Sequence, residues 1–137
     1  MTIKENVMGL QHLGIPAVDL QKSIDWYREL LGFELIEEKN MPEANCHAAF
    51  VKKGDLVIEL YQNDPESVKE VAGRKDGHID HVALNVKDVH AAFEELKAAG
   101  CTMLDSEVQS LPFFENGVAW FTILGPNNEK VEFNQFL

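Results

Sequence analysis

The sequence predicts an α+β fold made of two tandem βαβββ modules. An apolar strand pattern followed by an amphipathic helix pattern occurs twice, near His12 and again near His81, 69 residues later. Each helix pattern precedes three strand patterns, and the last of these contains a glutamate, Glu59 in one copy and Glu132 in the other. A unit repeated within one chain usually forms two similar structural copies that pack together.

The first module is predicted to extend over about residues 7–62. Its first strand alternates apolar residues with small or polar ones between Val7 and Ala17. Asp19 is a favourable N-cap for the helix that follows, and Gly32 fits the position just after its end. One face of this helix is apolar, with Leu20, Ile24, Tyr27 and Leu31 at helical spacing. Three strand patterns follow, at residues 33–38, 46–53 and 56–61.

Residues 63–77 are predicted to be a polar linker with a helical turn near 67–71, and the second module follows at about 78–136. Its helix has Asp88 as N-cap and ends before Gly100. Strands are predicted at 102–108, 118–124 and 130–136, with a tight turn at 125–128.

Composition narrows the classes of function. The 137 residues are 45% hydrophobic, as is usual for a single globular domain, and no apolar run approaches the length of a membrane span. A net charge of −11 makes nucleic acid and acidic membrane surfaces poor partners. No signal-peptide pattern opens the sequence, and Cys46 and Cys101 do not form a CxxC pair. We therefore expect a cytoplasmic protein with reduced thiols.

Each module has one histidine on its first strand and one glutamate on its last, and these four residues are candidate metal ligands. Strand alternation places His12, Glu59, His81 and Glu132 opposite the apolar residues that the helices would cover. A lone histidine or glutamate on a strand is usually structural, but four at equivalent places in two copies favour a shared site. Imidazole and carboxylate together suit a divalent transition metal: Ni, Co, Zn, Mn or Fe.

The residues around these positions resemble a known family. The hallmarks are His12-Leu13-Gly14-Ile15, Leu30-Leu31-Gly32-Phe33, Leu56-Val57-Ile58-Glu59-Leu60, His78-Ile79-Asp80-His81-Val82-Ala83 and Lys130-Val131-Glu132-Phe133. By these the whole chain resembles the glyoxalase I, bleomycin-resistance and extradiol-dioxygenase group, the vicinal oxygen chelate superfamily. The resemblance implies a curled, mixed β-sheet that forms a barrel-like cleft, and a homodimer.

Within that group the His-Glu-His-Glu set is similar to glyoxalase I, the lactoylglutathione lyase of methylglyoxal detoxification. That similarity implies one divalent metal per site and the isomerisation of a hemithioacetal through an ene-diolate. It also implies that a ligand carboxylate moves the proton, with Glu132 the first candidate and Glu59 the second.

The substrate is less well defined by the resemblance. Asn63 matches an asparagine that contacts glutathione in the family, but Pro16 stands where family glyoxalases have an arginine for the glutathione carboxylate. An arginine there would form charge-assisted hydrogen bonds, so glutathione specificity is not implied. Trp120 and Phe50 are candidate substrate-binding residues in an apolar pocket.

Other members of the group give alternative functions. Acyl-CoA epimerases usually have glutamine at the position of Glu59, and extradiol dioxygenases have a second histidine there. Fosfomycin-type thiol transferases use three ligands. A non-catalytic, drug-binding resistance protein is a further alternative, although such members lack the ligand set.

Overall fold

The structure is a computed structural model that describes residues 1–75, 79–126 and 130–137. The helices are α1 (Ile3–Asn6), α2 (Leu20–Leu31), α3 (Pro65–Ala72) and α4 (Val89–Ala98). The strands are β1 (Val7–Pro16), β2 (Glu34–Met41), β3 (Cys46–Lys53), β4 (Leu56–Gln62), β5 (His81–Val86), β6 (Gln109–Leu111), β7 (Val118–Leu124) and β8 (Lys130–Phe136). None of the described helices is both long and apolar enough to span a membrane. The order β1-α2-β2-β3-β4, then β5-α4-β6-β7-β8, confirms the predicted α+β class and the βαβββ repeat.

The chain divides into two compact units. The first unit comprises residues 12–80, and the second unit comprises residues 1–11 together with 81–137. Strand β1 therefore contributes its first half to the second unit and its second half to the first. The module boundaries expected from the sequence stay a prediction, and the expected start of the second module at residue 78 lies outside the described residues.

In the first unit, helix α2 covers one face of the sheet. Strand β4 pairs in parallel with β1 and antiparallel with β3, and β3 pairs antiparallel with β2. The Asp19 carboxylate accepts a hydrogen bond from the Lys22 N–H at the start of α2, and Gly32 ends the helix with φ 73°. The core under α2 consists of Ala17, Leu20, Ile24, Ala49, Val51, Ile58 and Leu60. The opposite face is therefore available for polar side chains.

The second unit repeats this arrangement. Strand β8 pairs in parallel with β5 and antiparallel with β7, and β7 pairs antiparallel with β6. The Asp88 carboxylate accepts from the Ala91 N–H at the start of α4. The core under α4 consists of Val86, Val89, Ala92, Phe93, Ala119, Phe121, Ile123 and Phe133.

The prediction of a strand at residues 102–108 is wrong. Met103 forms a single antiparallel bridge with Ile123, and strand β6 lies further along the chain. The Asp105 carboxylate accepts the Thr122 N–H at 2.7 Å, so a side chain replaces the carbonyl that a neighbouring strand would supply.

Two other segments differ from the sequence-based expectation. The turn expected within the linker is the longer helix α3, which has Asp64 as N-cap and Pro65 in its first turn. Part of the tight turn expected at 125–128 falls on residues 127–129, outside the described residues.

Asn6, which was not singled out from the sequence, is 1% exposed and links the N-terminal segment to the start of α4. Its Oδ1 accepts from the N–H groups of Lys87 at 2.6 Å and Asp88 at 2.7 Å, and its Nδ2 donates to the Asp88 carbonyl. The N-terminal residues are thereby part of the second unit.

We expect Asn6→Ala to lower the free energy of unfolding by about 1–3 kcal/mol, because the N–H groups of Lys87 and Asp88 lose the buried side chain that accepts from them. Urea denaturation followed by circular dichroism measures this change. The exposed Asn40→Ala is the matched control and should stay within about 0.5 kcal/mol of wild type. Equal stability of the two variants would show that the Asn6 hydrogen bonds contribute nothing.

Candidate functional site

The first unit places a buried histidine next to a glutamate. His12 on β1 is 1% exposed, and its Nε2 lies 3.9 Å from Oε1 of Glu59 on β4. The parallel pairing puts Gly14 beside Glu59, and strand alternation puts His12 on the same face as Gly14. The two side chains therefore meet although 47 residues separate them in the sequence.

The second unit places its own pair in the same way. His81 on β5 and Glu132 on β8 are both largely buried, and His81 Nε2 lies 3.3 Å from Glu132 Oε2. Here Ala83 pairs with Glu132. In both units the histidine therefore lies two residues before the residue that pairs with the glutamate. Each unit thus supplies one imidazole and one carboxylate, as the repeat in the sequence predicts.

Both pairs have the chemistry of a divalent metal site. The nitrogen–oxygen distances are longer than a good hydrogen bond. They suit two atoms that each lie about 2.0–2.2 Å from a shared ion. Burying an ionised carboxylate is costly unless a cation or hydrogen bonds compensate it. The residues of each unit therefore fit a divalent transition metal, for which imidazole nitrogen and carboxylate oxygen are normal ligands.

Phe50 on β3 packs against the first histidine. Its ring centroid lies 5.5 Å from that of His12, with the ring planes at 89°, and Phe50 is buried. Phe50 also pairs with Glu59 across the strands β3 and β4. This edge-to-face contact restricts the rotation of the imidazole.

Three amide side chains form a chain of hydrogen bonds that ends at the second glutamate. Asn134 Nδ2 donates to Glu132 Oε1 at 2.7 Å. Gln11 Nε2 donates to Asn134 Oδ1 at 3.0 Å and to Asn85 Oδ1 at 2.7 Å. Sequence reasoning did not assign these residues a role. The sequence signal for them was an amide two residues beyond Glu132 and another four residues beyond His81. Strand alternation places these amides on the same sheet face as Glu132 and His81.

Trp120 lies on β7, where it pairs with Asn134, so its side chain is on the same face of the second unit as Glu132. Its indole Nε1 is buried and has no hydrogen-bond partner among the described residues. A buried N–H without a protein acceptor is uncommon, so this indole can donate to a group other than the described side chains and backbone.

Asn63 is exposed and follows the end of β4. It lines a surface cavity of about 320 Å³ in the first unit, together with Cys46, His47 and Gln62. The His47 imidazole is 3.0 Å from the Glu38 carboxylate, so the rim of this cavity contains an ion pair when His47 is protonated.

Tyr61 lies two residues beyond Glu59, on the same face of β4. Burial, the charge of Asp80 and a hydrogen bond to that carboxylate raise the pKa of the Tyr61 hydroxyl above its usual value. The phenol therefore stays protonated at neutral pH and serves as a donor rather than a base.

Comparison with known proteins identifies relatives along most of the chain. The family model of the Glyoxalase/Bleomycin resistance protein/Dioxygenase superfamily matches residues 9–111. An uncharacterized Bacillus subtilis protein, YwbC, is 30% identical over 92% of this chain and 96% of its own. A lactoylglutathione lyase of Neisseria meningitidis is 32% identical over 93% of this chain and 91% of its own. The human mitochondrial methylmalonyl-CoA epimerase is 28% identical over 76% of this chain and 61% of its own.

Solved structures share the fold. The methylmalonyl-CoA epimerase of Mycobacterium tuberculosis has a TM-score of 0.81 at 24% identity, covering 100% of this chain and 93% of its own. A hypothetical protein of Bacillus halodurans has a TM-score of 0.75 at 22% identity, covering 93% of this chain and 94% of its own. At these identities the likeness concerns the fold alone.

Cys46 should react as a half-buried thiol with a raised pKa. Burial, and secondarily the charge of Glu59, raise the pKa of Cys46 to about 11. Because the thiolate is the nucleophile, alkylation by iodoacetamide should accelerate about tenfold per pH unit between pH 7 and 10. Mass spectrometry of the Cys46 peptide in a Cys101→Ser background follows the rate, with N-acetylcysteine as the reference.

A rate that levels off near pH 8.5, as for an ordinary thiol, would contradict this prediction. Glu59→Gln removes the smaller of the two causes, so Cys46 should react somewhat faster in that variant at a given pH.

Proposed function

This chain belongs to the Glyoxalase/Bleomycin resistance protein/Dioxygenase superfamily, and on that premise we propose that it is a metal-dependent lyase or isomerase. Its substrate would be a small hemithioacetal or α-oxo compound, and its reaction the movement of a proton between neighbouring carbons. The observation that supports this proposal best is the pairing of a buried histidine with a glutamate in each unit. The 32% identity to a lactoylglutathione lyase over nearly the whole chain agrees with it.

In this proposal four residues bind one divalent ion: His12, Glu59, His81 and Glu132. They come from one chain or, as the resemblance implies, in pairs from the two chains of a homodimer. When bound, a divalent ion supplies positive charge that stabilises negative charge on a substrate oxygen. The donor set suits Ni, Co, Zn, Mn and Fe.

Glu132 is the proposed proton carrier, with Glu59 as the second candidate. A carboxylate can remove a proton from the carbon next to a carbonyl and return it to the adjacent carbon. Its burial keeps water away from the proton during that transfer. Because Glu132 is largely buried and lies beside His81, it has the setting that this role needs.

The second candidate function is an acyl-CoA epimerase. The 28% identity to the human mitochondrial methylmalonyl-CoA epimerase over 76% of this chain favours it. Two features favour the hemithioacetal substrate instead. Glu59 stands where the epimerases usually have glutamine, and the net charge of −11 is unfavourable for the phosphates of CoA.

We expect purified protein to contain about one divalent metal per four-residue site and to isomerise a hemithioacetal in a metal-dependent reaction. Elemental analysis gives the metal content, and thioester absorbance follows the reaction. Parallel assays with methylmalonyl-CoA distinguish the epimerase. Because Pro16 replaces an arginine, hemithioacetals of glutathione and of uncharged thiols should be compared directly.

Glu132→Gln should reduce kcat by a factor of about 100 to 10,000 while the protein stays folded. Glu59→Gln is the matched variant, with the same change in the other unit. Full activity of Glu132→Gln with loss of activity in Glu59→Gln would reverse the two roles. A protein that binds no divalent metal on titration would contradict the proposed function.

Trp120 is proposed to donate its indole N–H to a substrate oxygen. Its Nε1 is a buried donor on the Glu132 face, and hemithioacetals and α-oxo compounds offer hydroxyl or carbonyl oxygens as acceptors. A substrate oxygen would supply the acceptor that the described residues do not provide.

Trp120→Phe keeps an aromatic ring but removes the N–H. We expect KM to rise by about 5- to 10-fold, and the free energy of unfolding to stay unchanged or rise by about 1 kcal/mol, because no buried donor is left unsatisfied. Steady-state kinetics and urea denaturation measure both. Trp26→Phe on the exposed face of α2 is the control, and an unchanged KM in both variants would exclude the proposed contact.

A further inference from the structure

The geometry points to Asn134 as a positioning residue that holds the Glu132 carboxylate, with Gln11 and Asn85 holding Asn134 in turn. All four residues belong to the second unit. The inference rests on the proposed function, because metal binding by Glu132 is the reason for its carboxylate to be held in one orientation.

The hydrogen bonds form a chain whose direction Glu132 sets. An ionised carboxylate only accepts, so Asn134 must turn its Nδ2 towards Glu132 Oε1, as the 2.7 Å distance shows. Asn134 Oδ1 then faces away and needs a donor, which Gln11 Nε2 supplies at 3.0 Å. The second hydrogen of the same Gln11 Nε2 goes to Asn85 Oδ1 at 2.7 Å. Each amide therefore has one orientation in which all these bonds are made.

This series of hydrogen bonds occupies one oxygen of the Glu132 carboxylate, so the other oxygen faces the histidine. Oε1 of Glu132 accepts from Asn134, whereas Oε2 is the oxygen that lies 3.3 Å from His81 Nε2. Gln11, Asn134 and Glu132 are each less than 10% exposed, so water competes little for these bonds. The carboxylate is thus held in a ligating orientation by the protein itself.

The neighbouring amide on β8 has a different task. Gln135 Oε1 accepts from the Val89 N–H at 2.9 Å and supports the start of α4. Gln62 has the same role in the first unit, where it accepts from the Leu20 N–H at 2.8 Å. Gln135 and Gln62 therefore occupy matching places in the repeat.

The positions of Asn134 and Tyr61 also match, since each lies two residues beyond the glutamate of its module. The residue types differ, with an amide in one copy and a phenol that bonds Asp80 in the other. The amide that holds the carboxylate is therefore particular to the second copy, whereas the helix-supporting glutamine is common to both copies.

The test compares Asn134→Leu with Gln135→Met in the full chain. Metal-free protein is titrated with Co²⁺ and with Zn²⁺, and its Tm is measured without metal. We expect Asn134→Leu to weaken metal binding by about 10- to 100-fold and to lower kcat, with KM nearly unchanged. Gln135→Met should lower Tm by about as much as Asn134→Leu does, because each variant removes hydrogen bonds of one partly or fully buried amide. Unlike Asn134→Leu, it should leave the metal Kd within about twofold of wild type.

Gln11→Met provides a second variant one hydrogen bond further away, in case Asn134→Leu does not fold. It should weaken metal binding in the same direction by a smaller factor, because Asn134 loses the donor that orients it. Wild-type metal Kd in a folded Asn134→Leu or Gln11→Met protein would overturn the inference. A wild-type protein that binds neither metal would instead overturn the proposed function on which the inference rests.

Discussion

A carboxylate buried beside an imidazole is the constraint on which the rest of this structure depends. Glu132 is 8% exposed, and a charge at that depth requires compensation. The protein supplies part of it through the Asn134 amide and leaves one oxygen near His81. This arrangement is stable only if the surrounding strands hold both side chains in place, and the rest of the second unit does so.

The βαβββ module is well suited to that task. Its first and last strands are parallel neighbours, so a histidine and a glutamate that are far apart in the sequence meet on one sheet face. The helix covers the other face and supplies the apolar burial that stabilises the unit. Because the two tasks use opposite faces, the polar residues can vary without disturbing the core.

The two copies differ in the residues around a common histidine–glutamate pair. In the first unit the neighbours are the ring of Phe50, which packs on His12, and the Tyr61 hydroxyl, which donates to Asp80. In the second unit they are the amides of Asn134 and Gln11. Two carboxylates in unequal surroundings can take unequal roles, as the proposed proton transfer by Glu132 would require.

The sequence alone determined the fold class, the repeat and the two histidine–glutamate pairs, because period-two alternation is a local property of each strand. Only the tertiary structure showed the hydrogen bonds of Asn6, which join residues 82 positions apart, and those of Gln11, which reach 123 positions along the chain. It also replaced the predicted strand at 102–108 with a single bridge and a side-chain contact from Asp105. Amide side chains have no periodicity that reveals a distant partner, so their role depends on the packing that brings the partner within reach.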